Sequence, residues 1–176
     1  KDNTGYDLAG LLTGSEGTLA VITAARLRLQ QPPPETLVVL VGVESLAAAN
    51  GLLRALPASS RVYGAEIMDA AAGLPMPQPL PGRWPYVLLI EATEIELPDA
   101  AAAVAAADLA DARRLWAYRE RMSEAVSTLG VVHKLDISAP KESLDELIAA
   151  VRAEVPTAVT VVVFGHLADG NVHIEL

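Results

Sequence analysis

His166 and His173 flank an Asp-Gly pair in the segment Gly165-His166-Leu167-Ala168-Asp169-Gly170-Asn171-Val172-His173. Asp-Gly is a strong signal for a two-residue hairpin turn. With Asp169 and Gly170 as the loop, Ala168 pairs with Asn171, Leu167 with Val172 and His166 with His173. The imidazoles then become direct cross-strand neighbours, with Cβ atoms about 4.5–5.5 Å apart. Two neutral imidazoles at that separation can share one divalent metal, provided a further ligand completes the site. The other reading is an ordinary hairpin that carries two polar residues.

A second set of chemistry-bearing residues lies upstream. In Leu115-Trp116-Ala117-Tyr118-Arg119-Glu120-Arg121-Met122-Ser123, Arg119 and Ser123 are spaced to share one helical face. A guanidinium beside a hydroxyl is a donor surface suited to a carboxylate, which Arg can bind through two parallel hydrogen bonds. A solvated helix with surface Arg-Glu pairs has the same pattern. Further on, Val132-His133-Lys134-Leu135-Asp136-Ile137-Ser138 reads as a strand whose alternation puts Lys134, Asp136 and Ser138 on one face. His133 falls with the apolar residues, as a packed or partly exposed side chain. Near the start, Gly14-Ser15-Glu16-Gly17 precedes a β-branched run; such a small-residue loop is either a simple turn or a place where backbone approaches a phosphate or a flavin.

These residues need a scaffold, and the chain reads as strands alternating with helices. Strands are expected at Leu37–Val43, 62–68, 86–91, 131–138 and 157–164. Helices are expected at 44–56, in the alanine-rich stretch 100–107, at 109–129 and at 140–154. Residues 25–29 alternate like a strand, and the proline- and glycine-rich 73–85 must be loop. The stiff Gln30-Gln31-Pro32-Pro33-Pro34 is the best domain boundary. The simplest architecture is α+β, with helices on one face of a mainly antiparallel sheet.

Composition narrows the class. With 52% hydrophobic residues the 176-residue chain can bury a core, and a formal charge of −9 without a basic run argues against nucleic acid as a partner. No apolar run is long enough to span a bilayer and no signal peptide is visible, which points to the cytoplasm or to peripheral membrane attachment. The absence of cysteine leaves nitrogen and oxygen as the ligands for any metal. Because the chain opens at Lys1 without methionine and stops at Leu176 inside an expected strand, it reads as a piece of a longer protein.

Three segments carry a resemblance. The histidine segment resembles the GHxGDGNxH motif in the C-terminal domain of FAD-linked oxidases, with Ala168 replacing a glycine. That group includes D-lactate dehydrogenases, glycolate oxidase flavoprotein subunits and D-2-hydroxyglutarate dehydrogenases. The arginine helix resembles the family's LWxxRE helix, with Ser123 in place of a threonine, and the lysine strand resembles YKYDLS. Asp-Asn-Thr-Gly-Tyr-Asp-Leu followed by Gly-Ser-Glu-Gly-Thr-Leu resembles the end of the family's FAD-binding domain, with Ala20 in place of a glycine. The resemblance implies that residues 1–30 end an α+β FAD-binding domain of the PCMH type. Residues 31–35 would connect it to a ferredoxin-like cap over 36–176, truncated at its C-terminus. It further implies oxidation of a D-2-hydroxy acid to the 2-oxo acid, with FAD contacts at Ser15, Glu16, Gly17, Thr18 and Ile22. Arg119, Ser123 and Lys134 would hold the substrate carboxylate, and His166 and His173 a divalent metal. The implied partners are the small-molecule hydroxy acid and a separate electron acceptor or electron-transfer protein, in a homodimer or hetero-oligomer. No catalytic base is assignable, since the family's lies downstream of Leu176, and the piece alone is expected to be inactive. The alternatives are a stand-alone α+β metal-binding or scaffold module without flavin, and an FAD oxidase with the same cap and a different substrate.

Overall fold

In the strand Leu37–Val43 (β1) successive side chains point to opposite faces, and both sets are apolar, so both faces must be covered. The computed structural model describes residues 5–70, 74, 80–98 and 101–176. It divides into two units, residues 1–32 and 33–176.

In the first unit Asp7 caps the short helix α1 (Leu8–Leu12), its carboxylate accepting the Gly10 amide at 2.9 Å. Residues 25–29, expected as a strand, are irregular and exposed. Alternation supplies a face, but a strand also needs a partner's backbone groups, and none of the described residues pairs with this segment.

The second unit is built on a seven-stranded sheet with order β4-β1-β3-β2-β6-β7-β5. Its other strands are β2 (Val62–Asp69), β3 (Tyr86–Ala92), β4 (Ala103–Ala105), β5 (Lys134–Ser138), β6 (Val162–His166) and β7 (Asn171–Glu175), paired antiparallel throughout. The class is the α+β expected. The helices, however, cover both faces of the sheet instead of one. Val39, Val41, Ile67, Ile90, Val163 and Val172 pack under α2 (Leu46–Ala55) and α5 (Leu144–Glu154). Val38, Leu40, Met68, Leu89 and Phe164 pack under α3 (Leu109–Glu120) and α4 (Met122–Ser127). The two helices of the first layer are joined end to side: the Asp145 carboxylate of α5 accepts the Leu46 and Ala47 amides at 3.0 and 2.6 Å, satisfying orphan donors at the start of α2.

Two expectations fail locally. The alanine-rich stretch holds the edge strand β4 where a helix was expected, residue 100 lying outside the described residues. Alanine favours helix by only tenths of a kcal/mol per residue over most alternatives, whereas an unpaired buried backbone group costs about 1–3 kcal/mol. β1 is buried, so its outer edge must be paired, and Gly42 N–H donates to Ala102 O while Ala106 N–H donates to Val38 O, each at 2.9 Å. The helix expected over 109–129 is two helices, interrupted at Arg121, where ψ is −3°. The bend lets Met122 and Val126 reach the core. The described parts of 73–85, residues 74 and 80–85, form neither helix nor strand, and the rest of that loop lies outside the described residues.

The β6–β7 connection sets the register of the histidines. It is a single 3₁₀ turn, Leu167–Asp169, closed by Gly170 at φ 70°, ψ 20°, rather than a two-residue Asp-Gly loop. Leu167 is fully buried in the first core layer, which draws the turn inward and lengthens it. Gly170 is also pinned from outside, its carbonyl accepting the Ala139 amide at 2.9 Å. A Cβ at Gly170 would collide with the Ala139 carbonyl oxygen, in a conformation that side chains avoid. Replacing Gly170 by Ala should therefore destabilise the chain by roughly 1–3 kcal/mol. Urea denaturation measures this, and a loss under about 0.5 kcal/mol would show that the turn re-forms differently.

Candidate functional site

The lengthened turn pairs His166 with Asn171 and Phe164 with His173, so the expected direct His166–His173 pair does not form. The histidines are diagonal neighbours on one face, with ring centroids 5.7 Å apart in an edge-on arrangement. Both rings have a carboxylate at Nδ1. Glu66 Oε1 lies 2.6 Å from His166, and Asp136 Oδ1 lies 3.8 Å from His173, too far for a direct hydrogen bond.

Glu66 sits in β2, opposite His166 on the neighbouring strand, and only 6% of the residue is exposed. Its second oxygen accepts the Arg119 Nε–H at 2.7 Å. One buried carboxylate thus joins the helix α3 to the histidine hairpin. The Arg119 guanidinium also lies over the Phe164 ring, 5.0 Å from its centroid, a cation–π contact that fixes the guanidinium plane.

Strand order does the rest. Because β5 lies beside β7, Lys134 faces Glu175, Asp136 faces His173 and Ser138 faces Asn171. The Asn171 amide bridges Asp136 Oδ1 at 2.7 Å and Ser138 Oγ at 3.1 Å. A cavity of about 270 Å³ opens over this corner, lined by Arg119, Ser123, Lys134, Asp136, Phe164, His173 and Glu175 among others. All three residues expected to hold a carboxylate therefore line one cavity together with one of the two histidines, His166 lying at its side beside Glu66. His133 is exposed and outside this cavity. A larger open cleft of about 870 Å³, lined by Trp116, Glu91 and Thr36 among others, contains none of the expected site residues. Both oxygens of its Glu91 are engaged, by Trp116 Nε1–H and Thr36 Oγ1–H at 2.8 Å.

Reading the sequence missed Glu66, Phe164 and Glu175. Glu66 had a signal: a carboxylate inside the apolar run Ala65-Glu66-Ile67-Met68 must be either exposed or paired when the strand is buried.

How far the site fits a divalent cation follows from its donors. Metal-binding histidines usually give their second ring nitrogen to a carboxylate, which Glu66 provides for His166. That leaves two nitrogen ligands on one face. A catalytic zinc generally takes three protein ligands, and no group of three or more His, Asp or Glu residues able to hold a metal occurs among the described residues. The expected flavin-contacting loop belongs to the first unit. There Gly14, Glu16 and Gly17 take positive φ values of 78°, 49° and 78°. Ser15 is half-buried, Glu16, Gly17, Thr18 and Ile22 are exposed, and the Thr18 hydroxyl is spent on the Ser15 carbonyl at 2.6 Å.

Residues 32–176 match the family of FAD linked oxidases, C-terminal domain. The whole chain aligns with the mitochondrial D-2-hydroxyglutarate dehydrogenase of Bos taurus at 35% identity, covering 37% of that protein. It aligns likewise with that of Rattus norvegicus at 32% identity, covering 38%. The D-2-hydroxyglutarate dehydrogenase of Xanthomonas citri pv. viticola is 29% identical, with 42% of it covered. The chain spans well under half the length of the curated relatives it matches.

The buried Arg119–Glu66 pair and the exposed Arg54–Glu142 pair should differ sharply in energy. Glu66→Ala strands a guanidinium whose side chain is only 12% exposed, and should cost about 3–5 kcal/mol. Arg54→Ala breaks a pair with both side chains at least 65% exposed, and should cost under about 1 kcal/mol. Chemical denaturation of both variants checks the contrast; equal losses would mean that Glu66 is not the keystone.

Proposed function

The chain belongs to the FAD-linked oxidases, of which it carries the C-terminal domain, and from that membership we propose that the protein it comes from is an FAD-dependent dehydrogenase. It oxidises a D-2-hydroxy acid to the 2-oxo acid. The observation that carries this reading is the convergence of Arg119, Ser123, Lys134 and His173 on one small cavity, from two consecutive helices and two strands. The names of the aligned dehydrogenases support the same substrate class.

In this reading Arg119 is the anchor. Glu66 takes its Nε–H and Phe164 lies against the guanidinium, which would leave the remaining guanidinium donors for a substrate carboxylate. Ser123 and Lys134 add a hydroxyl and an ammonium donor. Fixing the carboxylate at three points holds the Cα hydrogen in one direction, an effect of positioning rather than of chemistry. His166 and His173 would hold a divalent cation, zinc or another, through the ring nitrogens that face away from Glu66 and Asp136. Such a cation supplies Lewis acidity that lowers the pKa of the substrate hydroxyl, and FAD supplies the electron acceptor. Ser15, Glu16, Gly17, Thr18 and Ile22 are the proposed flavin contacts. A separate acceptor or electron-transfer protein then takes the electrons. No described helix is long and apolar enough to cross a membrane, and the proposal locates the enzyme in the cytoplasm or peripherally at a membrane.

The full-length enzyme should show a flavin absorbance that one D-2-hydroxy acid, added without oxygen, bleaches and its L-enantiomer does not. Arg119→Ala should lower kcat/KM for that acid by roughly 10–100-fold, the value of a charged hydrogen bond. Flavin that no hydroxy acid reduces would reject the substrate class, and absence of flavin would reject the reading altogether. By elemental analysis the enzyme should hold a divalent metal that is lost in His173→Ala; equal metal content in enzyme and variant would remove His173 from the ligand set.

A further inference from the structure

Glu66 stands between the two parts of the site that the dehydrogenase reading uses. Its side chain is 7% exposed, and its two oxygens go to different elements: Oε2 accepts the Arg119 Nε–H at 2.7 Å, and Oε1 lies 2.6 Å from His166 Nδ1. A guanidinium only donates, and the carboxylate that pairs with it does so as the anion, an acceptor at both oxygens. His166 Nδ1 must then be the donor to Oε1. A neutral imidazole, the form that binds a metal, carries one ring proton, so with that proton on Nδ1 the other nitrogen, Nε2, keeps its lone pair.

His173 is held differently. The carboxylate beside it, Asp136, is 3.8 Å from Nδ1 on a side chain 69% exposed, and Asp136 Oδ1 already accepts from the Asn171 amide at 2.7 Å. Packing orients this ring instead, tilted against Phe164 with centroids 5.2 Å apart and edge-on to His166. Of the two histidines, His166 is the one whose tautomer a buried carboxylate sets.

We infer that Glu66 is a positioning residue shared by both halves of the site, a double acceptor that holds the Arg119 guanidinium for the substrate carboxylate and fixes His166 in the Nδ1–H tautomer, with Nε2 as the ligand nitrogen for a divalent cation. This rests on the dehydrogenase reading above and adds to it what selects the metal-binding form of the histidine. Two acceptors are what distinguish Glu66 from a glutamine of the same size, which has one acceptor and one donor group. In Glu66→Gln the amide oxygen goes to Arg119, since an amide N–H facing the guanidinium would set donor against donor. The amide N–H then meets His166 Nδ1, which has to accept, and the ring proton moves to Nε2, where it blocks a metal.

The test uses the full-length flavoenzyme, stripped of metal and titrated with zinc against a competing chelator. Glu66→Gln, with flavin content and Tm checked against the natural enzyme, should weaken zinc binding by roughly 10–100-fold. Nitrogen-15 spectra of histidine-labelled enzyme, with the His166 signal identified by its loss in His166→Ala, should place the ring proton on Nδ1 in the zinc-loaded natural enzyme and on Nε2 in metal-free Glu66→Gln. A merely structural Glu66 would change Tm and leave both readouts where they were. Unchanged zinc affinity in a folded variant therefore overturns the inference, as does a natural enzyme that binds no zinc. A proton on Nε2 of the natural enzyme overturns it even if the variant does not fold. In each of these cases bleaching by a D-2-hydroxy acid leaves the dehydrogenase reading standing, whereas a flavin that no hydroxy acid reduces overturns both.

Discussion

The carboxylate of Glu66 is the interaction on which the site depends. It is held on a buried strand, accepts from Arg119 with one oxygen and meets His166 with the other, both at hydrogen-bond distance. Removing it would leave the Arg119 cation buried and unpaired, a larger loss than the pair itself gains over an apolar substitute. Its role is therefore to orient. Arg119 is held against Phe164, and the His166 ring is turned so that Nδ1 faces protein and the opposite nitrogen is left for a ligand.

That arrangement is possible because the sheet divides its two faces between different tasks. Under α2 and α5 the packing is apolar from β1 across to β7. On the other face the apolar layer runs from β1 to β6 under α3 and α4 and then stops, and on β7 and β5 it gives way to Asn171, His173, Glu175, Lys134, Asp136 and Ser138. The bend at Arg121 brings Arg119 and Ser123 to this border from the helical side. The cavity is the corner of the sheet that the helices leave open.

Much of this was legible locally. Strands β1, β2 and β3 and helices α2 and α5 lie within a few residues of where periodicity puts them, since an apolar run bounded by proline or a capping serine leaves few alternatives. The uninterrupted apolar run of β1 even held the evidence that both faces are covered. The misses have one cause. β4 is a strand because buried β1 needs a partner on its outer edge, and residues 25–29 are not a strand because no described segment pairs with them. Pairing is decided by what lies alongside, which intrinsic propensity does not record.

By itself the sequence determined the residue types that do the chemistry, the histidines around a glycine turn, the arginine helix and the lysine strand, and with them the family. Only the tertiary structure decided how they meet. Glu66 and His166 are 100 residues apart, and what joins them is the adjacency of β2 and β6. Glu175 faces Lys134 because β7 lies between β6 and β5, and the histidines are diagonal because buried Leu167 lengthens the turn. Strand order and register arise from burying the whole sheet at once, so a local window of sequence carries their ingredients without their outcome.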